Sequence, residues 1–271
     1  MIKYFFINHW YCRLGNNIMQ LVNALHLSLL AGEDSRVVIP EHQYFCSTDK
    51  VQVGLTDHDR RAINQHRVTL VTDSRNFYLS EIIVGWTETE FVQNYSQVVR
   101  EIRQAFVLNP PLSLSLSQDK ILVIHLRSGD IFGSHPHPKY IPPPWSYYQT
   151  VLSTDCWSGV ILVCEDRLHP LLSKFEQEVP NLQFQVNKLE KDIAILTQAS
   201  YLVLSIGTFV PGLIYFNSNI QRIFCPSYAQ EKLLTHLPNL QGMITFIDLS
   251  TYRREIRCWR NTFDQRQRLL C

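Results

Sequence analysis

The sequence lacks a disulfide or zinc framework. Its seven cysteines, at positions 12, 46, 156, 164, 225, 258 and 271, are odd in number and include no C-x-x-C pair. That pattern predicts a reducing, cytoplasmic setting over a stapled secreted fold. A field of one sign is missing too: 25 Lys and Arg face 24 Asp and Glu, a formal charge of +1. No global basic surface is available to draw nucleic acid. No long stretch interleaves aromatic and basic residues in the way a single-strand binder would. The first ten residues, "MIKYFFINHW", lack the long apolar region and small-residue cleavage site of a signal peptide. The longest run without an ionised side chain, residues 193–221, is interrupted by Thr197, Gln198, Ser200, Ser205, Gly207, Pro211 and Gly212. It predicts a buried helix, strand, loop and helix instead of a membrane span. There is no repeat at a fixed period and no G-x-G-x-x-G fingerprint.

What is present is an ordinary globular composition, 45% apolar and 18% charged, in a chain long enough for one large domain or two modest ones. "KYFFIN", "HWYCRLGNN" and "IMQLVNALHLSLLAG" read as strand, loop and helix, with Ile18, Leu21, Val22, Leu25 and Leu29 at helical spacing and Gly32 as the stop. "RVVIP" makes this a βαβ opening. Residues 41–80 are polar and irregular apart from "VTLVTDS". A helix covers "YSQVVREIRQAF", and residues 111–119 read as a linker. Then "ILVIHL", "GVILVCE", "LQFQV", "YLVLSI" and "IQRIFCP" alternate with helical segments near 145–154, 168–179, 190–199 and 210–217. Such near-continuous apolar strands belong to a parallel sheet covered on both faces. The predicted architecture is α/β: two Rossmann-like, doubly wound domains facing across a cleft. They comprise residues 1–110 and 120–250, with a basic helix over 251–271.

Ligands in such sheets sit beyond the carboxyl ends of the strands. "ILVIHLRSGD" ends there in Arg127, Gly129 and Asp130. Arginine can make paired bonds to phosphate oxygens, and glycine admits a close backbone approach. The same residues would also suit a surface Arg–Asp pair. "LSIGTF", 204–209, ends another strand. Ser205, Thr208 and the following helix start could cradle an anion, or Thr208 could simply cap a helix with Phe209 in the core. Asn16 and Asn17 of "RLGNN" could cap a helix or meet a polar ligand. His135 and His137 of "HPHPKY" have no acidic or thiol partner nearby and read as a proline-rich lid. "DHD", 57–59, is an acidic pair of metal-binding type that reads as a solvated loop. The six arginines of 253–268 read as a solvated face, or alternatively as a membrane-surface element.

"HLRSGD" resembles the HxRRGD signature of α-1,2-fucosyltransferases, shared more loosely by α-1,6- and protein O-fucosyltransferases. "RLGNNIMQLVNALHLSLLAG", "VGWTETEFVQNYSQVVREIRQAF" and "DIAILTQASYLVLSIGTF" resemble further segments of the α-1,2 enzymes, in the same order and at similar spacing. The resemblance implies a GT-B architecture, a GDP-fucose donor, inversion at the anomeric carbon, and neither metal nor cofactor. A galactose-containing glycan is the implied acceptor. It implies Arg127 as the group compensating the leaving diphosphate, and Asp130 or Glu88 as the catalytic base. Gly15, Asn16, Asn17, His125, Gly129, Asp192, Ser205, Gly207, Thr208 and Phe209 are the implied donor contacts. The chain departs from the family pattern at Ser128, where relatives carry a second arginine. It departs also at Gly207, usually serine, at Asn17, usually glutamine, and at "VPG" after Phe209, in place of a tryptophan pair. Another GDP-sugar, a protein- or lipid-linked acceptor, or an inactive GDP-sugar-binding module remain as alternatives.

Overall fold

The computed structural model describes residues 4–32, 34–64, 69–70, 88–108, 120–186, 188–228, 237–240 and 242–271. At 60, 62–64, 69–70, 88–91 and 238 only the backbone is described. The expected linker 111–119 lies outside these residues, as does most of "VTLVTDS". The chain divides into two compact units. One is Met1–Pro110 with Pro211–Phe216 and Lys232–Asn239, and the other is Pro111–Val210 with Asn217–Glu231 and Leu240–Cys271.

The first unit runs β1 (Tyr4–Phe6), α1 (Leu14–Ala31), β2 (Arg36–Ile39), β3 (Val51–Val53), α2 (Asp57–Asn64), β4 (Thr69–Leu70) and α3 (Glu88–Ala105). Its sheet has the order β3-β2-β1-β4, with every pairing parallel. Helix α1 starts four residues earlier than the sequence predicts. Arg13 has extended backbone and no side-chain cap, and its carbonyl accepts from the N–H groups of Asn16 and Asn17 at 2.9 and 3.2 Å. Gly15, Asn16 and Asn17 therefore form the first helical turn; neither asparagine caps it. The buried amides of Asn17 and Gln20 hold the β1–α1 loop: Asn17 donates to the Tyr11 carbonyl (3.1 Å), and Gln20 accepts from the Tyr11 N–H (3.0 Å) and donates to the His9 carbonyl (3.3 Å).

"DHD" is not a solvated loop. It opens α2, and Asp59, only 8% exposed, completes a reciprocal cap. Its carboxylate accepts from the Thr56 N–H at 2.9 Å while its own N–H donates to the Thr56 hydroxyl at 3.1 Å. The carboxylate also accepts from Gln52 at 3.4 Å, which ties this helix start to β3.

The second unit continues with β5 (Ile121–Leu126), α4 (Trp145–Leu152), β6 (Gly159–Cys164), α5 (Leu172–Glu178), β7 (Leu182–Val186), α6 (Leu189–Gln198), β8 (Tyr201–Val203), α7 (Phe209–Ile214), β9 (Arg222–Pro226), β10 (Ile244–Ile247), α8 (Ser250–Ile256) and α9 (Phe263–Leu269). All six strands are parallel, in the order β10-β9-β8-β5-β6-β7. Alternate residues of β5 and β6 (Leu122, Ile124, Leu126; Val160, Leu162, Cys164) join one core with Trp145, Tyr148, Phe175 and Trp259. The intervening Val123, Ile161 and Val163 are buried as well. Both sheet faces are covered, which is why these strands read as unbroken apolar runs.

The run 193–221 forms α6, β8, a loop and α7, as predicted, and among the described residues no helix is long and apolar enough to cross a membrane. The expected single C-terminal helix over 251–271 is two helices. Arg257 (φ +55°) and Asn261 (φ +57°) break it, and Trp259 between them is fully buried.

Candidate active site

Numbered from its own first strand, the second sheet has the order 3-2-1-4-5-6. The chain winds outward from β5 to β7, then returns to β8 on the other side and winds the opposite way. The strand order therefore reverses between β5 and β8, and the crevice beyond their carboxyl ends is where such sheets bind ligands. The two segments singled out in the sequence, "HLRSGD" and "LSIGTF", leave these two neighbouring strands.

Arg127 is the centre of this edge, with its side chain 18% exposed. Its Nη2 donates to both carboxylate oxygens of Asp130, at 3.0 and 2.9 Å. Its guanidinium lies over the Tyr140 ring, 4.6 Å from the centroid. Gly207 leaves room for Nη1: a Cβ built there would stand 2.5 Å from that nitrogen, and its φ of +99° is one that side chains rarely adopt. On the other side Gly129 (φ +63°) admits Glu165, whose Oε2 would be 2.6 Å from a Cβ. The Nε–H of Arg127 is buried and has no acceptor among the described residues. A buried donor left open in an otherwise anchored guanidinium suits an incoming acceptor.

Ser128 has turned inward. It is fully buried, and its hydroxyl donates to Asp166 Oδ1 at 2.5 Å; the same oxygen accepts from the Leu168 N–H at 2.8 Å. Ser128 thus ties the β5–α4 connection to the β6–α5 connection. His125 packs against Phe209, ring centroids 5.7 Å apart. Burial, helped by Arg127, lowers its pKa to about 3, so the imidazole is neutral. His169, behind it, is lowered to about 3 for the same reason, with His125 adding to the effect. Ser205 is 1% exposed and buried beside the Tyr148 hydroxyl. Helix α7 has six residues and Pro211 third among them, so its first turn offers the N–H groups of Phe209 and Val210 but none at 211.

Asp192, in the first turn of α6, is 7% exposed, and its Oδ1 has no partner among the described residues. Burial raises its pKa to about 7, against a Gln185 hydrogen bond that lowers it. The folded state therefore holds this proton where the unfolded chain has lost it. The associated stability is present below about pH 4 and is lost as pH rises through about 7. Asp192→Asn, which cannot ionise, is expected to gain in melting temperature over the parent as pH rises from 4 to 8. Parallel melting curves across that range check this; a constant difference would contradict it.

Gly15, Asn16 and Asn17 belong to the first unit, and the other expected donor contacts to the second. The Asn17 amide is engaged with its own loop, and its Oδ1 lies 3.3 Å from His42 Nε2. The Glu88 side chain is outside the described residues. Tyr140, Glu165 and Asp166 were missed in the sequence. The last two could have been found, because "VCED" ends β6 in charge just as "HLRSGD" ends β5. Among the described residues no three His, Cys, Asp or Glu side chains converge as a metal-ligand set.

No protein-family model matches the chain, and no curated protein matches it. Several solved structures match the chain, two of them as follows. Fucosyltransferase NodZ from Bradyrhizobium is 13% identical, the match covering 82% of this chain and 95% of that one, with a TM-score of 0.44. A NodZ α-1,6-fucosyltransferase co-crystallised with GDP is 12% identical, covering 82% and 94%, with a TM-score of 0.45.

Proposed function

We propose that the chain is an inverting GT-B-type fucosyltransferase that moves L-fucose from GDP-β-L-fucose to a glycan hydroxyl, the 2-OH of a terminal galactose being the preferred acceptor. The observation that carries this reading is Arg127. A guanidinium stands at the strand-order switch of a Rossmann-type sheet, held by Asp130 and Tyr140, with a buried Nε–H that has no acceptor among the described residues. The resemblance of four sequence segments to the α-1,2 enzymes supplies the sugar and the linkage.

In the proposed reaction the bond between the anomeric carbon and the β-phosphate oxygen breaks, and charge develops on that oxygen. Arg127 compensates it as a preorganised donor. The Phe209 and Val210 N–H groups and Thr208 assist from the β8 tip. Asp192, whose carboxyl pKa burial pushes up to about 7, presents a hydrogen-bonding edge to the guanine. Asn16 and Asn17, on the first turn of α1, are the candidate donor contacts of the first unit. The acceptor hydroxyl loses its proton as the new bond forms on the opposite face. Asp130 and Glu88 are the two candidate bases, Asp130 also serving as the counter-ion of Arg127. Ser128 leaves the diphosphate with one arginine where relatives have two, so donor affinity depends heavily on Arg127.

Thermal melting with a nucleotide panel tests the donor. GDP and GDP-fucose at about 100 times Kd are expected to raise the melting temperature by roughly 5–10 °C, and UDP-sugars to leave it unchanged. No shift with any guanine nucleotide would overturn the reading.

A further inference from the structure

The loop 133–144 contains Pro136, Pro138, Pro142, Pro143 and Pro144, five positions with no N–H to fix it internally. Its own backbone bonds are few: Gly133 to the Asp130 carbonyl at 3.3 Å, and Tyr140 to the His137 carbonyl at 3.0 Å. The connection between α8 and α9 supplies what is missing. Trp259 donates its indole N–H to the Ile131 carbonyl at 2.7 Å and its backbone N–H to the Pro138 carbonyl at 2.9 Å. Its ring meets Phe132 edge-on at 5.9 Å. Asn261 donates to the carbonyls of Phe132 and Gly133 at 2.7 and 3.2 Å.

The connection is itself braced. Arg266 donates to Asn261 Oδ1 at 2.8 Å, and the Gln265 amide donates to the Cys258 carbonyl at 2.7 Å and accepts from the Arg260 N–H at 2.8 Å. The stretch held in this way, 131–138, is flanked by Asp130 and Tyr140, the two residues that grip Arg127.

We propose that Trp259 and Asn261 are positioning residues of the Arg127 site: they fix the stretch whose two ends orient the guanidinium. This rests on reading Arg127 as the diphosphate-binding group. A purely structural brace would alter stability alone. A positioning brace weakens binding of the diphosphate and spares the nucleoside.

Asn261→Gly removes both side-chain donors and suits the positive φ. Trp259→Phe, which keeps an aromatic ring and removes the indole donor, is the second variant. Each is titrated calorimetrically with GDP and with guanosine, in the parent and in an Arg127→Ala background. The expected result is about tenfold weaker GDP binding, the size of one or two hydrogen bonds. Guanosine binding stays unchanged, and no further GDP loss follows once Arg127 is absent, because the two sites act through one group. Unchanged GDP affinity in the parent background, or an equal loss in both backgrounds, overturns the inference while the nucleotide reading stands. A parent protein that binds neither GDP nor guanosine overturns that reading, and this inference with it.

Discussion

Arg127→Ala is expected to lower fucose transfer from GDP-fucose ~100- to 1,000-fold, the typical cost of one preorganised donor aimed at developing charge. The fold should survive. The side chain's charged partner, Asp130, is 45% exposed and is rehydrated when the arginine is gone. The stacking contact with Tyr140 is worth about 1 kcal/mol. The loss should therefore appear in single-turnover rates with a melting temperature close to the parent's. Arg127→Lys should rescue little: an ammonium cannot bond Asp130, lie over Tyr140 and meet a diphosphate at once. Turnover near the parent's in a folded Arg127→Ala protein would remove the phosphate-clamp role.

Gly207→Ala is expected to lower the rate about 100-fold without removing any charged group, since a displacement of about 1 Å at a reacting group costs that much. The added methyl meets Nη1 of Arg127 at 2.5 Å, and the guanidinium, as the flexible end of a side chain, is what gives way. The backbone at φ +99° adds strain of about 1–3 kcal/mol. Rate and stability should thus fall together, unlike in Arg127→Ala. Steady-state kinetics beside melting curves separate the two. A Gly207→Ala enzyme at full rate would show that the close approach of Arg127 to this backbone is not needed. The α-1,2 segment that the sequence resembles usually carries serine here, which makes the comparison with Gly207→Ser informative as well.

The strands that carry the site were legible because a parallel sheet covered on both faces leaves unbroken apolar runs, and both β5 and β7 have the bounds the sequence predicts. The tips were legible because a core strand that ends in Arg, Gly and Asp is unusual. Strands β3 and β10 were missed: they are three and four residues long and partly exposed, so they lack that signature. Asn17 looked like a cap or ligand group because sequence spacing does not reveal that an amide folds back on its own loop. Asp59 looked solvated because a Thr–Asp cap needs its geometry to be recognised. Ser128 could be named as a departure but not explained until its bond to Asp166 was visible. The brace from Trp259 to Ile131 spans 128 residues of chain, and no local pattern signals it. The six arginines around it drew attention to charge, although the buried tryptophan among them makes the decisive contact.

The central claim is that this sheet edge transfers fucose from GDP-fucose, and the most direct measurement is product analysis after incubation with GDP-fucose and a β-galactoside. The expected result is stoichiometric GDP and a fucosylated product, α-linked to the galactose 2-OH, formed ~100- to 1,000-fold more slowly by Arg127→Ala. Tight GDP-fucose binding with no product on any glycan acceptor, or transfer at the parent's rate in Arg127→Ala, would contradict it.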